Sequence, residues 1–394
     1  MCASSTVLLR QVVYHHGPCV PPFRLGNARD WLPRIPSRGV IDALDRCTVV
    51  LPRPGDGWYA PPPGSGSEAA AGFPWGELTA DGAEEMRRKG RSLCEALRGP
   101  RWGTDQLVVR AANRPRSVAS AQALVLGAHE AAKETLQQAS ALRPVEVLLQ
   151  EGEDLLPLCA PGSPDFPALG AGRAASVGLD EAEEAMKGQA SELMEALARW
   201  GFSMEALSST SSAQSCDFDA LCEALSCLEA AALIPAGEGE EGARFASKVA
   251  AVRRFNFLRW AAPLHGQPLE AAAAVVGPLL RGLFRACDAA AEKIPATTSP
   301  DLLVYSSQAD AIVALLGALG LATTTGTGVA DPRRSKLTWP KFGSSLEIVL
   351  VQADGEPFLH FVHDGTPVVP GLGRDLISYA QVRERFASLC DDCR

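Results

Sequence analysis

Strand-like runs occur at the two ends of this chain and not in the long stretch between them. VLLRQVVY (7–14), QLVVRA (106–111) and VEVLLQ (145–150) come early, and DLLVYSS (301–307), LEIVLVQ (346–352) and FLHFVH (358–363) come late. From about residue 178 to 292 the sequence turns to Ala, Glu and Leu at helical spacing, divided by Gly, Pro and Asp/Ser caps into about four helices. Ala182, Met186, Ala190, Leu193 and Leu197 form one apolar stripe there, the pattern of a packed helix face. Strands at both ends, with helices between and after them, predict an α/β sheet interrupted by an inserted helical domain. The core is expected from residues 1–150 and 296–394, and the helical cap from 151–295.

The rest of the chain fits around this frame. Thr79 caps a helix continued by Met86, Gly90, Leu93 and Leu97, with Asp81 in its first turn. Another helix is expected from about Ser117 to Leu126, one after 301–307, and a last one over Ser378–Leu389. Asp354-Gly355 marks the turn of a C-terminal hairpin. Residues 17–75 are rich in Pro and Gly, and 48–74 are expected to be a long loop.

With 394 residues, 46% hydrophobic and 21% charged, the chain can bury a large core as a soluble globular protein. A net charge of -9 argues against nucleic acid or an anionic membrane as partner, because phosphate surfaces recruit basic patches. No apolar run reaches the ~20 residues of a membrane span; even Leu269–Cys287 contains Arg281 and Arg285. The opening MCASSTVLLRQVVY lacks the pattern of a secretory leader. Eleven scattered cysteines, an odd number, read as reduced thiols in the cytoplasm or another reducing compartment. Cys390 and Cys393 form a Cys-x-x-Cys without a partner pair and read as tail.

The chemistry concentrates in VVYHHGPCVPP (12–22), where a strand delivers two adjacent histidines into a glycine-proline turn. HHGPCVP (15–21), GELTADGAEEMRRKG (76–90) and VRAANRPRSVASAQALVLG (109–127), in this order, resemble the motifs of the histidine acid phosphatase family. VYSSQADAIVALLGALG (304–320), WPKFGSSLEIVLV (339–351) and FVHDGTPVVPG (361–371) follow the same order. With VGPLLRGLF (276–284), the nearest similarity is to the lysophosphatidic acid phosphatase branch. The resemblance implies a three-layer α/β/α sandwich with an inserted helical cap and a C-terminal β-hairpin. It also implies phosphomonoester hydrolysis without cofactor or metal, on a small phosphomonoester or a lipid phosphate.

In such enzymes an imidazole attacks phosphorus, guanidinium forks hold the phosphoryl oxygens, and a His-Asp pair protonates the leaving oxygen. By resemblance His16 is the nucleophile, Gly17 and Pro21 keep the surrounding motif, and Arg116 and Arg110 bind phosphate. The departures are at the most demanding positions. His15 and Cys19 stand where two arginines are expected, and Gln308 and Ala309 where the His-Asp pair is expected. Losing one transition-state donor typically costs roughly 10²- to 10³-fold, and losing a general acid roughly 10²- to 10⁴-fold. Two readings therefore stand: a weak divergent phosphatase acting through phospho-His16, or an inactive relative that binds a ligand or protein partner in the old cleft.

Arg24, Arg114 and a protonated His15 are conceivable replacements for the lost charge, but each reads more simply as a surface residue. His363-Asp364 falls on the C-terminal hairpin and reads as a turn. Asp310 is one residue beyond the acid pair and reads equally as a helix cap. Cys19 and Arg24 are too close for a Cys-x5-Arg loop, and the prolines between them remove amides. A metal site from His15, His16 and Cys19 is disfavoured, because adjacent residues of a strand point to opposite faces. His129 and His265 join no constellation.

Overall fold

The computed structural model describes residues 6–51, 73–96, 107–136, 143–150, 179–202, 217–234, 239–264, 269–292, 302–321, 337–368 and 376–386. Both ends of the chain build one sheet, as the strand pattern predicts. The first half supplies β1 (Thr6–His15), β2 (Thr48–Leu51), β3 (Leu107–Ala112) and β4 (Val145–Gln150). The second half supplies β5 (Leu302–Ser307), β6 (Ser345–Ala353), β7 (Glu356–His363), β8 (Thr366–Pro367) and β9 (Ile377–Ser378). The order is β2-β4-β3-β5-β1-β6-β7-β8, with β9 also on β7. From β2 to β1 the pairs are parallel, and from β1 onward they are antiparallel.

The central strand, β5, is buried along its whole length. Leu302 and Val304 join the apolar cluster on one face, and Leu303 and Tyr305 join the cluster on the other. Both faces are covered, which explains why β5 opens on a continuous apolar run rather than an alternating one.

One covering layer consists of α2 (Arg38–Cys47), α3 (Ala80–Ala96) and α4 (Pro115–Leu136). Leu44, Met86, Val118 and Leu124 from these helices pack with Val12, Tyr14, Val109 and Val304. A side chain on Gly90 would strike the Leu124 carbonyl, so glycine lets α3 and α4 approach closely. The short α1 (Ala28–Trp31) precedes this layer, held by an Asn27/Asp30 capping box.

The opposite layer begins with the insertion, whose described helices are α5 (Leu179–Arg199), α6 (Phe218–Ala230), α7 (Gly239–Leu264) and α8 (Leu269–Glu292). It ends with α9 (Ala309–Ala318), and α10 (Tyr379–Arg385) closes the described chain. Ala190, Leu193 and Leu197 of the predicted stripe are buried, with Ala182 and Met186 packed against them. Asp354 and Gly355 both have positive φ, the backbone of a two-residue hairpin turn, and Asp364-Gly365 repeats it between β7 and β8.

Two expectations differ from the observed elements. Residues 17–75 are not uniformly irregular, since α1, α2 and β2 lie within them, and β2 occupies the first residues of the expected 48–74 loop. Only Leu44 and Cys47 of α2 are buried, and β2 pairs with β4 alone. A one-turn apolar stripe and a single ladder leave little periodicity to read among prolines and glycines. The helix expected from Ser117 to Leu126 continues to Leu136. Residues 52–72, His265, Cys390 and Cys393 lie outside the described residues.

Candidate functional site at the carboxyl ends of the central strands

β1, β5 and β3 end side by side, at His15, Ser307 and Ala112. In an open parallel sheet this is where loops converge to form a site. The chain after β1 turns sharply at Gly17, where a side chain would come 2.6 Å from the Gly82 carbonyl oxygen. Gly17 N donates to Ser120 Oγ at 3.0 Å, and Val20 N donates to the Glu77 carbonyl. Thr79 Oγ1 and Thr79 N both donate to the Pro18 carbonyl, anchoring the loop to the start of α3. With Pro18, Pro21 and Pro22 lacking N–H groups, the loop cannot cradle an anion with its amides.

His16 is wholly buried. Its Nδ1 lies 2.9 Å from the Gly17 carbonyl, which can only accept, so Nδ1 carries the proton and Nε2 carries the lone pair. Arg116 Nε donates to that Nε2 at 2.9 Å, and Arg116 Nη2 donates to Gln308 Oε1 at 3.2 Å. Burial, then the neighbouring His15 and Arg116, push the His16 pKa well below its ordinary value, so the ring is neutral. The three residues aligned from distant motifs thus meet: His16 after β1, Arg116 at the start of α4, and Gln308 capping α9.

The other residues named from the sequence have different surroundings. His15 Nδ1 donates to the Lys341 carbonyl at 3.0 Å, and burial pushes its pKa down to about 3. This corrects the idea of a protonated His15 replacing an arginine: a neutral ring cannot supply positive charge. Arg110 lies two residues short of the end of β3, with its guanidinium carbon 6.0 Å from the Tyr305 ring centre, on the face lined by α8 and α9. Arg24 is exposed. Arg114 forms the turn into α4, its carbonyl accepting from Val118 N. Ala309 is a buried methyl in the first turn of α9.

His363 and Asp364 hold the loop before β6. Asp364 accepts from Ser344 Oγ and Ser345 N at 2.9 and 2.7 Å, and His363 Nδ1 donates to the Ser345 carbonyl. His129 is buried in α4, and its Nε2 makes no hydrogen bond among the described residues. Asp310 accepts from Ala311 N at 2.7 Å, and burial, with Asp219 and Glu223 nearby, pushes its pKa up to about 7.

The insertion supplies what the sequence did not reveal. Glu223 and Cys227, one turn apart on α6, face the loop after β1. Glu223 Oε1 is 3.9 Å from His16 Nε2 and 3.6 Å from Cys19 Sγ, and Cys227 Sγ is 3.9 Å from Cys19 Sγ. Burial pushes both thiols up, and the Glu223 charge adds to this. Asp219, on the same helix, accepts from Asn256 Nδ2, Trp260 Nε1 and Arg259 Nη2 at 2.8–2.9 Å, tying α6 to α7. The i, i+4 spacing of Glu223 and Cys227 was the available signal, but it did not say which surface that face would meet.

Cavities of about 780 and 590 Å³ lie elsewhere. The first is between α5 and α7 against Trp339, the second beside Lys89, Phe342 and Asp364; His16 lines neither.

Solved structures match across nearly the whole chain, among them three with TM-scores above 0.5. Citrobacter braakii phytase shares 15% identity at a TM-score of 0.53, over 99% of this chain and 98% of that one. Bifidobacterium longum multiple inositol polyphosphate phosphatase, in complex with inositol hexasulfate, shares 12% at 0.53, over 98% and 93%. Hafnia alvei phytase, in complex with myo-inositol hexakis sulphate, shares 11% at 0.52, over 99% of both chains. The chain has the histidine acid phosphatase fold. No family model and no curated protein matches the sequence. At these identities the likeness extends to architecture, a mixed sheet between helical layers. No helix among the described residues is long and apolar enough to cross a membrane.

Proposed function

We propose that this chain is a catalytically silent relative of the histidine acid phosphatases, with its old cleft closed by the inserted helices and used for binding. The observation that carries this reading is the surroundings of His16 Nε2. The atom is buried, bonded by Arg116 Nε, and faced at 3.9 Å by the Glu223 carboxylate. An incoming phosphoryl group is anionic and needs room in line with Nε2. Here it would meet a carboxylate, with one arginine to hold it and an amide, Gln308, in place of an acid. An amide has no proton to give a leaving alkoxide.

Phosphate release from inositol hexakisphosphate, lysophosphatidic acid and p-nitrophenyl phosphate tests the reading. Turnover should equal that of the His16→Ala variant, and His16-dependent release from any of the three overturns it.

One observation favours the other reading, a weak phosphomonoesterase acting through phospho-His16 on a lipid phosphate or inositol phosphate. The His16 tautomer leaves Nε2 unprotonated, as a nucleophile requires, with Arg116 bonded to it until a phosphoryl group takes that donor. Trapping a His16 phosphoramidate by rapid quench would establish that reading. The expectation of a reducing compartment remains a proposal, supported by six buried free cysteines among the described residues.

A further inference from the structure

Cys19, Glu223 and Cys227 bring two sulfurs and one carboxylate oxygen together at the junction of core and insertion. All three ligand atoms lie within 4.8 Å of one another. The Sγ–Sγ separation is 3.9 Å and the Cys19 Sγ–Glu223 Oε1 separation 3.6 Å. A tetrahedral zinc ion, with Zn–S bonds of about 2.3 Å and Zn–O bonds of about 2.0 Å, requires about 3.8 Å between two sulfurs and about 3.5 Å between sulfur and oxygen. The two separations made by Cys19 already match those such an ion imposes, and the third donor pair lies within 4.8 Å.

We infer that Cys19, Cys227 and Glu223 form a binding site for a thiophilic divalent cation, zinc by chemistry, that clips α6 to the loop after β1. With three protein donors, a water completes the tetrahedron. Soft thiolates select zinc over magnesium or calcium, which prefer all-oxygen ligands. Both donor elements are fixed without the ion: Cys19 bridges to Leu78, and α6 is tied to α7 through Asp219. Each bound ion displaces one proton from each thiol, forming two Zn–S bonds. The two thiolates and the carboxylate leave one net negative charge on the complex, beside the Arg116 guanidinium. This occupant deepens the silent-phosphatase reading and rests on the same closed cleft, but a metal titration is blind to turnover, so either reading can fail alone.

The experiment is a Co²⁺ titration of the full-length reduced protein, followed by competition with Zn²⁺. The expected result is one equivalent of Co²⁺ with thiolate-to-cobalt charge transfer and the intense visible bands of a tetrahedral site, displaced by Zn²⁺. Cys19→Ser and Cys227→Ser should each lower affinity at least tenfold and reduce the charge-transfer intensity, while Cys47→Ser and Cys287→Ser should leave both unchanged. Glu223→Gln, which keeps both sulfurs and the shape of the helix, should weaken binding while retaining charge transfer. Binding without a charge-transfer band overturns the proposal. So does equal loss in the Cys47 and Cys287 controls, or a Cys19–Cys227 disulfide that reforms in the isolated protein without any metal binding on reduction.

Discussion

The floor and the roof of the His16 site surround the same imidazole with different chemistry. The floor, made by the ends of β1 and β5 and the start of α4, holds His16 with the Arg116 guanidinium donating to it. The roof, made by α6, brings the Glu223 carboxylate to 3.9 Å from His16 Nε2 and the Cys227 thiol against Cys19. On the proposed reading, His16 keeps its hydrogen bonds while the site around it becomes hostile to phosphate, and the charge facing His16, rather than the histidine itself, is what blocks turnover.

Removing a support of the roof gives the largest expected effect. Trp260 is buried and donates to Asp219, so Trp260→Ala should cost about 3–5 kcal/mol of stability. Denaturant unfolding measures this, and hydrogen exchange should show α6 loosening while β1 and β5 stay protected. Uniform loosening would mean that floor and roof are one cooperative unit.

Rebuilding the floor alone should achieve little. His15→Arg, Cys19→Arg, Gln308→His and Ala309→Asp together should leave phosphate release near background while Glu223 faces His16. Adding Glu223→Ala should raise it by roughly 10²-fold or more, the effect of transition-state donors placed at a phosphoryl group. Equal activity with and without Glu223 would place the block in the floor.

The turn at Gly17 tests the floor by itself. Gly17→Ala puts a methyl 2.6 Å from the Gly82 oxygen and should cost about 1–3 kcal/mol through overpacking, read from a urea melt.

The smallest effect is the pH dependence contributed by Asp310. Its pKa is pushed up from 3.8 to about 7 on folding, so between those values the native state binds the proton more tightly than the unfolded chain. That stabilisation is complete below the unfolded pKa and is lost as pH rises toward 7. Asp310→Asn should therefore gain stability relative to wild type at pH 8 compared with pH 5. Equal differences in Tm at the two pH values would show that the carboxyl is not desolvated.

The floor was legible because its parts are local motifs. HHGPCVP, the turn before α4 and the start of α9 each announce themselves, and the sheet brings them together at adjacent strand ends. Arg110 shows the limit of that logic: it belongs to the right motif, yet two residues of strand rise and the alternation of faces put it against Tyr305. His15 shows another limit, because whether a histidine carries charge depends on its burial, and no sequence pattern reports that. The short α2 and β2 escaped detection among prolines and glycines because each buries too little to leave a period.

By itself the sequence determined the fold class and named His16, Arg116 and Gln308 as residues that meet. It could do so because hydrophobic period and turn chemistry act within a few residues. Tertiary structure alone decided what faces His16. Glu223 and Cys227 lie more than 200 residues from Cys19, on a helix whose ordinary amphipathic pattern fixes which face is buried but not what it is buried against. That choice is made by the packing of the insertion on the core, and it sets a carboxylate 3.9 Å from His16 Nε2 and a second thiol beside Cys19.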